Sequence, residues 1–204
     1  DILLGGAGND VLFAEDEIGV DAARTAGETQ AGSGAQGEWL DGGAQNDILI
    51  GAAGDDALLG GGGADTLIAG GGDDHVRGDQ GATRVGTEWA ITRAVRNDAG
   101  VLTYVSTFVD AEVVTSADGG ADLIFGGAGQ DWLFGELGDD VIDGGMDDDV
   151  LFGGEGNDVL FGQGGADRIH GDGTSVPAGA HGNDQLHGGA GDDALYGNGG
   201  HDRL

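Results

Sequence analysis

A large aliphatic residue returns every ninth position through most of the chain: Leu12, Leu49, Leu58, Leu67, Val76, Ile124, Leu133, Ile142, Leu151, Leu160, Ile169, Leu186 and Leu195. Each follows a glycine-rich turn by a fixed distance. Gly5-Gly6-Ala7-Gly8-Asn9-Asp10-Val11-Leu12-Phe13 is a complete unit, and 126–134, 153–161 and 188–196 are close copies. The pattern is G-G-x-G-x-D-x-U-x, with U aliphatic. Three residues around U are enough for one short strand with U facing inward, because side chains alternate across a strand. A fixed short period means a stacked array rather than an ordinary globular core. Successive turns fall on opposite edges of a flattened coil, so two units make one circuit. Loops eighteen residues apart then stack about 4.8 Å apart.

The period divides the chain. Residues 1–13 carry one partial and one complete unit, and 14–32 break the pattern with a polar, acidic stretch. Within it, 16–23 reads as one or two helical turns. A block at 33–81 opens on a degenerate copy with Glu38 in the aspartate place, and Gln45 replaces the fourth glycine of the next. Residues 82–116 have a different grammar. Val85, Thr87, Trp89, Ile91 and Val95 alternate with smaller or polar residues, Asn97-Asp98-Ala99-Gly100 is a turn signal, and Val101 to Val109 alternate again. That predicts a β-hairpin pushed out of the array. The period resumes over 117–173, pauses at a loop over 174–178 that carries the one proline, and finishes over 179–204. The chain opens and closes inside repeats, which reads as a piece of a longer protein.

Composition sharpens this picture. With 48 glycines and a net charge of −31, the chain approaches the signature of disorder. Strict periodicity argues for order. The two agree if a missing component neutralises the carboxylates. All seven basic residues are arginine, too few for an electrostatic footprint on nucleic acid or anionic membrane. No apolar run reaches the roughly 20 residues of a membrane span. With no cysteine, the fold owes nothing to disulfides. There is no phosphate-binding G-x-x-x-x-G-K-[ST], and no H-E-x-x-H or G-x-S-x-G to run hydrolytic chemistry. The five histidines fall at outward or loop positions and read as solvated.

The candidate chemistry lies in the sixth position: Asp10, Asp47, Asp56, Asp65, Asp74, Asp122, Asp131, Asp140, Asp149, Asp158, Asp167, Asp184 and Asp193. One edge of the coil would carry Asp131, Asp149 and Asp167, and the other Asp122, Asp140 and Asp158. Such rows repel one another without a cation. Glycine carbonyls, unobstructed by a Cβ, can join the carboxylates in a cage of hard oxygens. Six or more such ligands in a flexible loop suit Ca²⁺, whereas Zn²⁺ or Cu²⁺ would call for Cys or His. At position nine, Phe13, Phe125, Phe134, Phe152, Phe161 and Tyr196 face outward. They either cover the sheet surface or dock another module or a partner.

These residues resemble the nonapeptide repeats of the RTX (repeats-in-toxin, hemolysin-type calcium-binding) family. The resemblance implies an all-β fold, a right-handed parallel β-roll with a β-hairpin insertion, and several bound Ca²⁺ ions. It also implies the ligands: the carbonyls of positions one and three in one loop, those of positions two and four one circuit later, and the position-six aspartate of both. Carried over, the backbone ligands are among Gly42, Gly51, Gly60, Gly61, Gly63, Gly126, Ala128, Gly135, Gly138, Gly144, Gly145, Asp147, Gly153, Gly154, Gly156, Gly162 and Gly165. The resemblance further implies a secreted, extracellular or bacterial cell-surface module exported by a type I system. It would be a structural, export-assisting region of a larger protein rather than an enzyme. The alternative is the calcium-dependent tail of a secreted enzyme or toxin.

Overall fold

The computed structural model describes residues 2–8, 10–13, 20–27, 35–84, 90–98, 101–109, 111–115, 119–173 and 176–204. The first part of the chain forms β1 (Ile2–Ala7), β2 (Val11–Phe13), helix α1 (Val20–Gly27), β3 (Gln36–Ala44), β4 (Ile48–Ile50), β5 (Asp55–Gly62), β6 (Thr66–Gly71) and β7 (His75–Arg77). An excursion follows, with β8 (Gln80–Arg84), β9 (Ala90–Asp98), β10 (Val101–Val109) and β11 (Ala111–Thr115). The array then resumes as β12 (Leu123–Ala128), β13 (Trp132–Leu137), β14 (Val141–Met146), β15 (Val150–Glu155), β16 (Val159–Gly164), β17 (Arg168–His170), β18 (Gln185–Ala190) and β19 (Ala194–Tyr196).

Consecutive strands of the array alternate between two parallel sheets. One has the order β1-β3-β5-β7-β13-β15-β17-β19, the other β18-β16-β14-β12-β6-β4-β2. Pairing is in register, with Ile124 opposite Ile142 and Leu133 opposite Leu151. The period-two alternation sends position eight inward from both sheets. Leu49, Leu58, Leu67, Ile124, Leu133, Ile142, Leu151, Leu160 and Ile169 are fully buried in a single row, with Leu195 packed against its end. This is the parallel β-roll that the repeat resemblance implies.

The excursion does not interrupt the stack. β6 pairs with β12, placing Leu67 opposite Ile124, and β7 pairs with β13, placing Val76 opposite Leu133. β9 and β10 form the antiparallel hairpin, with Asp98 opposite Val101; of the turn expected at 97–100, residues 99–100 lie outside the described residues. β8 and β11 form a second antiparallel pair at its base.

Both insertions lie against the roll. Ile91 of the hairpin packs on Trp39, Ala57 and Leu59 of the eight-stranded sheet. Tyr104 sits edge-on to Trp132 and Phe152, with ring centroids 5.4 and 5.3 Å away. Across the molecule, α1 covers the seven-stranded sheet, where Ala23 is buried with Ile50 and Ile68 and the Arg24 guanidinium lies 5.1 Å from the centre of the Phe125 ring. The described helix, Val20–Gly27, overlaps the 16–23 segment that the sequence suggests. Residues 14–19 lie outside the described residues.

Strand spacing dictates what the outward aromatic residues do. Phe134, Phe152, His170 and Tyr196 stack along the eight-stranded sheet at 5.3, 4.6 and 4.6 Å, close to the distance between strands. Two histidines therefore depart from the solvated reading. His170 is a rung of this stack, and burial, followed by the Arg168 charge, lowers its pKa to about 4. His75, only 2% exposed, has its pKa lowered first by burial and then by Arg77 and Arg93.

Candidate metal centres

Glycines create a cradle beside most of the aspartates, Asp74 excepted, whose unit opens on Ala69. A Cβ built on Gly42 would stand 2.5 Å from Asp47 Oδ2 and 2.6 Å from the Gly60 carbonyl oxygen. The same clash with the position-six Oδ2 and the next circuit's carbonyl recurs at Gly60, Gly126, Gly135, Gly153 and Gly162. Only a residue without a side chain leaves these two oxygens open to a shared space. Gly144 meets Asp149 Oδ2 in the same way. Further along the loops, Gly61, Gly145 and Gly154 lie over the position-two carbonyls of the preceding circuit, and Gly63, Gly138, Gly156 and Gly165 over the position-four carbonyls. The loop conformation is strong enough to hold side chains where glycine is easier. Gln45 (φ 77°), Glu136 (83°), Asp147 (73°), Gln163 (71°) and Asn198 (71°) all stand at glycine places in the left-handed region.

The aspartates form two ladders along the whole roll. The Asp10 N–H donates to Asp47 Oδ1, and the pattern continues through Asp65, Asp122, Asp140, Asp158, Asp184 and Asp202 at 2.7–3.0 Å. On the opposite edge it runs from Glu38 through Asp56, Asp74, Asp131, Asp149 and Asp167 to Asp193. Each carboxylate thus uses Oδ1 to clamp the circuit before it. Its other oxygen is a different matter. Oδ2 of Asp10, Asp47, Asp65, Asp74, Asp122, Asp131, Asp140, Asp149, Asp158, Asp167 and Asp184 is buried without a hydrogen-bond partner.

Burial without a partner raises the energy of the charged form. Burial, reinforced by Asp122 and Asp158 one circuit away, pushes Asp140 up to about 9. Asp122 rises to about 8 and Asp158 to about 7 for the same leading reason. Asp74, Asp131 and Asp149 shift in the same direction, again chiefly through burial. Among the described residues, no three carboxylate, imidazole or thiol groups converge on one point. A cation between the loops would therefore take most of its ligands from backbone carbonyls. A donor set of two carboxylates with carbonyls is all hard oxygen, which fits Ca²⁺.

A profile of the RTX calcium-binding nonapeptide repeat matches residues 1–16, 33–67, 50–85, 116–151, 143–174 and 179–204, most of the chain. The chain belongs to the RTX calcium-binding repeat family. It is a calcium-binding repeat module with a parallel β architecture. A search of curated proteins gives no match. No helix among the described residues is long and apolar enough to cross a membrane.

Against that repeat pattern, Asp56 stands apart. Its Oδ1 accepts from the Glu38 N–H, and its Oδ2 from the Ala52 N–H at 2.8 Å. Ala52 occupies the second position, where most RTX units here have glycine, and its amide turns onto the carboxylate. Asp193 clamps Asp167 but is only partly buried. The Ala128 carbonyl accepts the Gly72 N–H at 2.8 Å, which leaves its second lone pair.

Two buried carboxylates escape the period altogether. Asp79, where the excursion leaves the roll, accepts from Gly120 N–H at re-entry (3.0 Å) and from Leu137 N–H one circuit later (2.8 Å). Asp172, where the second break begins, accepts from Gly182 N–H (3.2 Å) and Gly199 N–H (2.7 Å). The four partners occupy matching repeat positions, so the two aspartates stitch the breaks in one way. The signal that could have found them is a Gly-Asp pair where the period stops. Position five supplies a further ladder of opposite sense: Asp139 Oδ1 accepts from Asn157 N–H, and Asn157 Oδ1 from Asn183 N–H.

Proposed function

We propose that this chain is a calcium-driven folding switch within a larger exported protein, ordered outside the cell and unfolded before it gets there. The observation that carries the reading is the file of buried, unpartnered Asp Oδ2 atoms along both edges. Between the 126–131 and 144–149 loops, Asp131 and Asp149 would hold the ion, with the carbonyls of Gly126, Ala128, Gly145 and Asp147. The bound ion supplies the positive charge that lets adjacent carboxylates stay ionised. Asp131 and Asp149 orient one oxygen into the space while fixing the previous circuit with the other. At cytosolic calcium the net charge of −31 keeps the circuits apart. Extracellular calcium modules bind at about 10⁻⁴–10⁻³ M, so export itself would trigger closure. The chain would act as a structural, export-assisting region whose other partners are modules of the same parent protein.

Far-UV circular dichroism of the calcium-free chain should show disorder, and added Ca²⁺ should bring the strand spectrum. Mg²⁺ at equal concentration should restore much less, because it keeps its waters and demands a tighter octahedron. A strand spectrum indifferent to chelator would overturn this reading.

A further inference from the structure

The hairpin brings a positive charge to one step of the aspartate ladder. Arg93 Nη1 donates to the Asp74 carbonyl at 3.0 Å and to the Gln130 carbonyl at 2.9 Å. Its Nη2 lies 3.7 Å from Asp73 Oδ2, and the guanidinium is 5.6 Å from the centre of the Trp132 ring. Asp73 and Asp74 end one loop, while Gln130 and Asp131 end the loop stacked on it. Asp74 N–H donates to Asp131 Oδ1 across the same step. The guanidinium therefore spans the step where the chain rejoins itself after the excursion, since these two loops are separated by 57 residues in sequence. Arg93 does not occupy the inner space. Asp74 Oδ2 and Asp131 Oδ2 both remain unpartnered beneath it.

We propose that Arg93 is a tethered counter-cation that closes the Asp74–Asp131 step at lower calcium than other steps of the same ladder, joining the two halves of the roll first. This rests on the calcium-driven reading above. A charge held on a docked strand acts at high local concentration. It screens the neighbouring carboxylates of Asp73 and Asp131 and bridges two carbonyls with charge-assisted bonds. Ile91 and Tyr104 on either side fix the hairpin, so little freedom remains for the guanidinium to lose on closing.

Hydrogen exchange of the full chain during a calcium titration tests this, comparing peptides from 69–77 and 126–134 with those from 144–152 and 162–170. In the unsubstituted protein, protection at the first pair should arrive at about threefold to tenfold lower calcium. Arg93→Gln should erase that lead and leave the 144–170 midpoint where it was, while Arg93→Lys should keep part of it. Equal midpoints in the unsubstituted protein would overturn the proposal without using any variant. An unchanged lead in Arg93→Gln, or a midpoint raised equally everywhere, would also overturn it. Protection that ignores calcium throughout would instead sink the switch on which the proposal rests.

Discussion

Asp140 illustrates how much one side chain carries in this architecture. Its Oδ1 accepts from the Asp122 N–H, its own N–H donates to Asp158, and its Oδ2 faces the cradle of Gly135. Asp202 accepts from Asp184 at the far end of the same ladder and is less buried. Asp140→Ala should therefore raise the calcium midpoint more than Asp202→Ala, by an amount reflecting about 1–3 kcal/mol for the amide left unpaired. Equal midpoints in parallel titrations would contradict the stacked ladder. The sixth-position aspartates were legible in the sequence because they share one spacing. The exception at Asp56 rests on the Ala52 amide turning onto its carboxylate, and no pattern of residue types reports the direction of a single N–H. Asp172 shows in the sequence only as a Gly-Asp pair at a break in the period, because its partners lie 10 and 27 residues away. Asp172→Ala should strip Gly182 and Gly199 of their acceptor and destabilise β18 and β19 in particular. Exchange of peptides from 179–204 would rise while 123–155 stays protected. A uniform loss across both regions would show that Asp172 is not a local stitch.

At the level of elements, the strands were readable, and the hairpin's apolar face called for cover by the roll's outer surface or by a partner, without saying which residues would meet. Position eight fixes which residues enter the core, and the alternation from Val101 to Val109 fixes a strand. Where the hairpin lies depends on Ile91, Arg93 and Tyr104 finding Trp39, Trp132 and Phe152 on a distant surface. The aromatic stripe left two readings open, and on the eight-stranded sheet the hairpin of this same chain docks on part of it. An isolated two-stranded hairpin is marginal in water, so the roll stabilises the hairpin more than the reverse. Replacing the hairpin with a short Gly-Ser linker should leave the calcium-induced strands of β14 to β17 intact. Loss of their protection would mean that the hairpin belongs to the core. The same deletion exposes Trp132 and His75, and a rise in Trp fluorescence quenching by added iodide would report it.

Across the whole molecule, every strand of the array touches its neighbours one circuit away, and stability is a sum of steps rather than the property of one core. Those steps are not equal in length. Most join residues 18 apart, but one joins Asp158 to Asp184 across 26 residues, one joins Asp10 to Asp47 across 37, and one joins Asp65 to Asp122 across 57. Under tension applied along the axis, circuits would peel in turn, each releasing its own length of chain. At about 3.3–3.6 Å per extended residue, an ordinary circuit yields roughly 60 Å, while the step spanning the excursion holds back roughly 190–200 Å. The excursion is thus a reserve of slack stored beside the point where the two halves are fastened. A pulled molecule would extend mostly in short increments, with two of intermediate length at the 26- and 37-residue steps and the longest at the 57-residue step, and the force at that longest increment would measure how firmly the fastening holds.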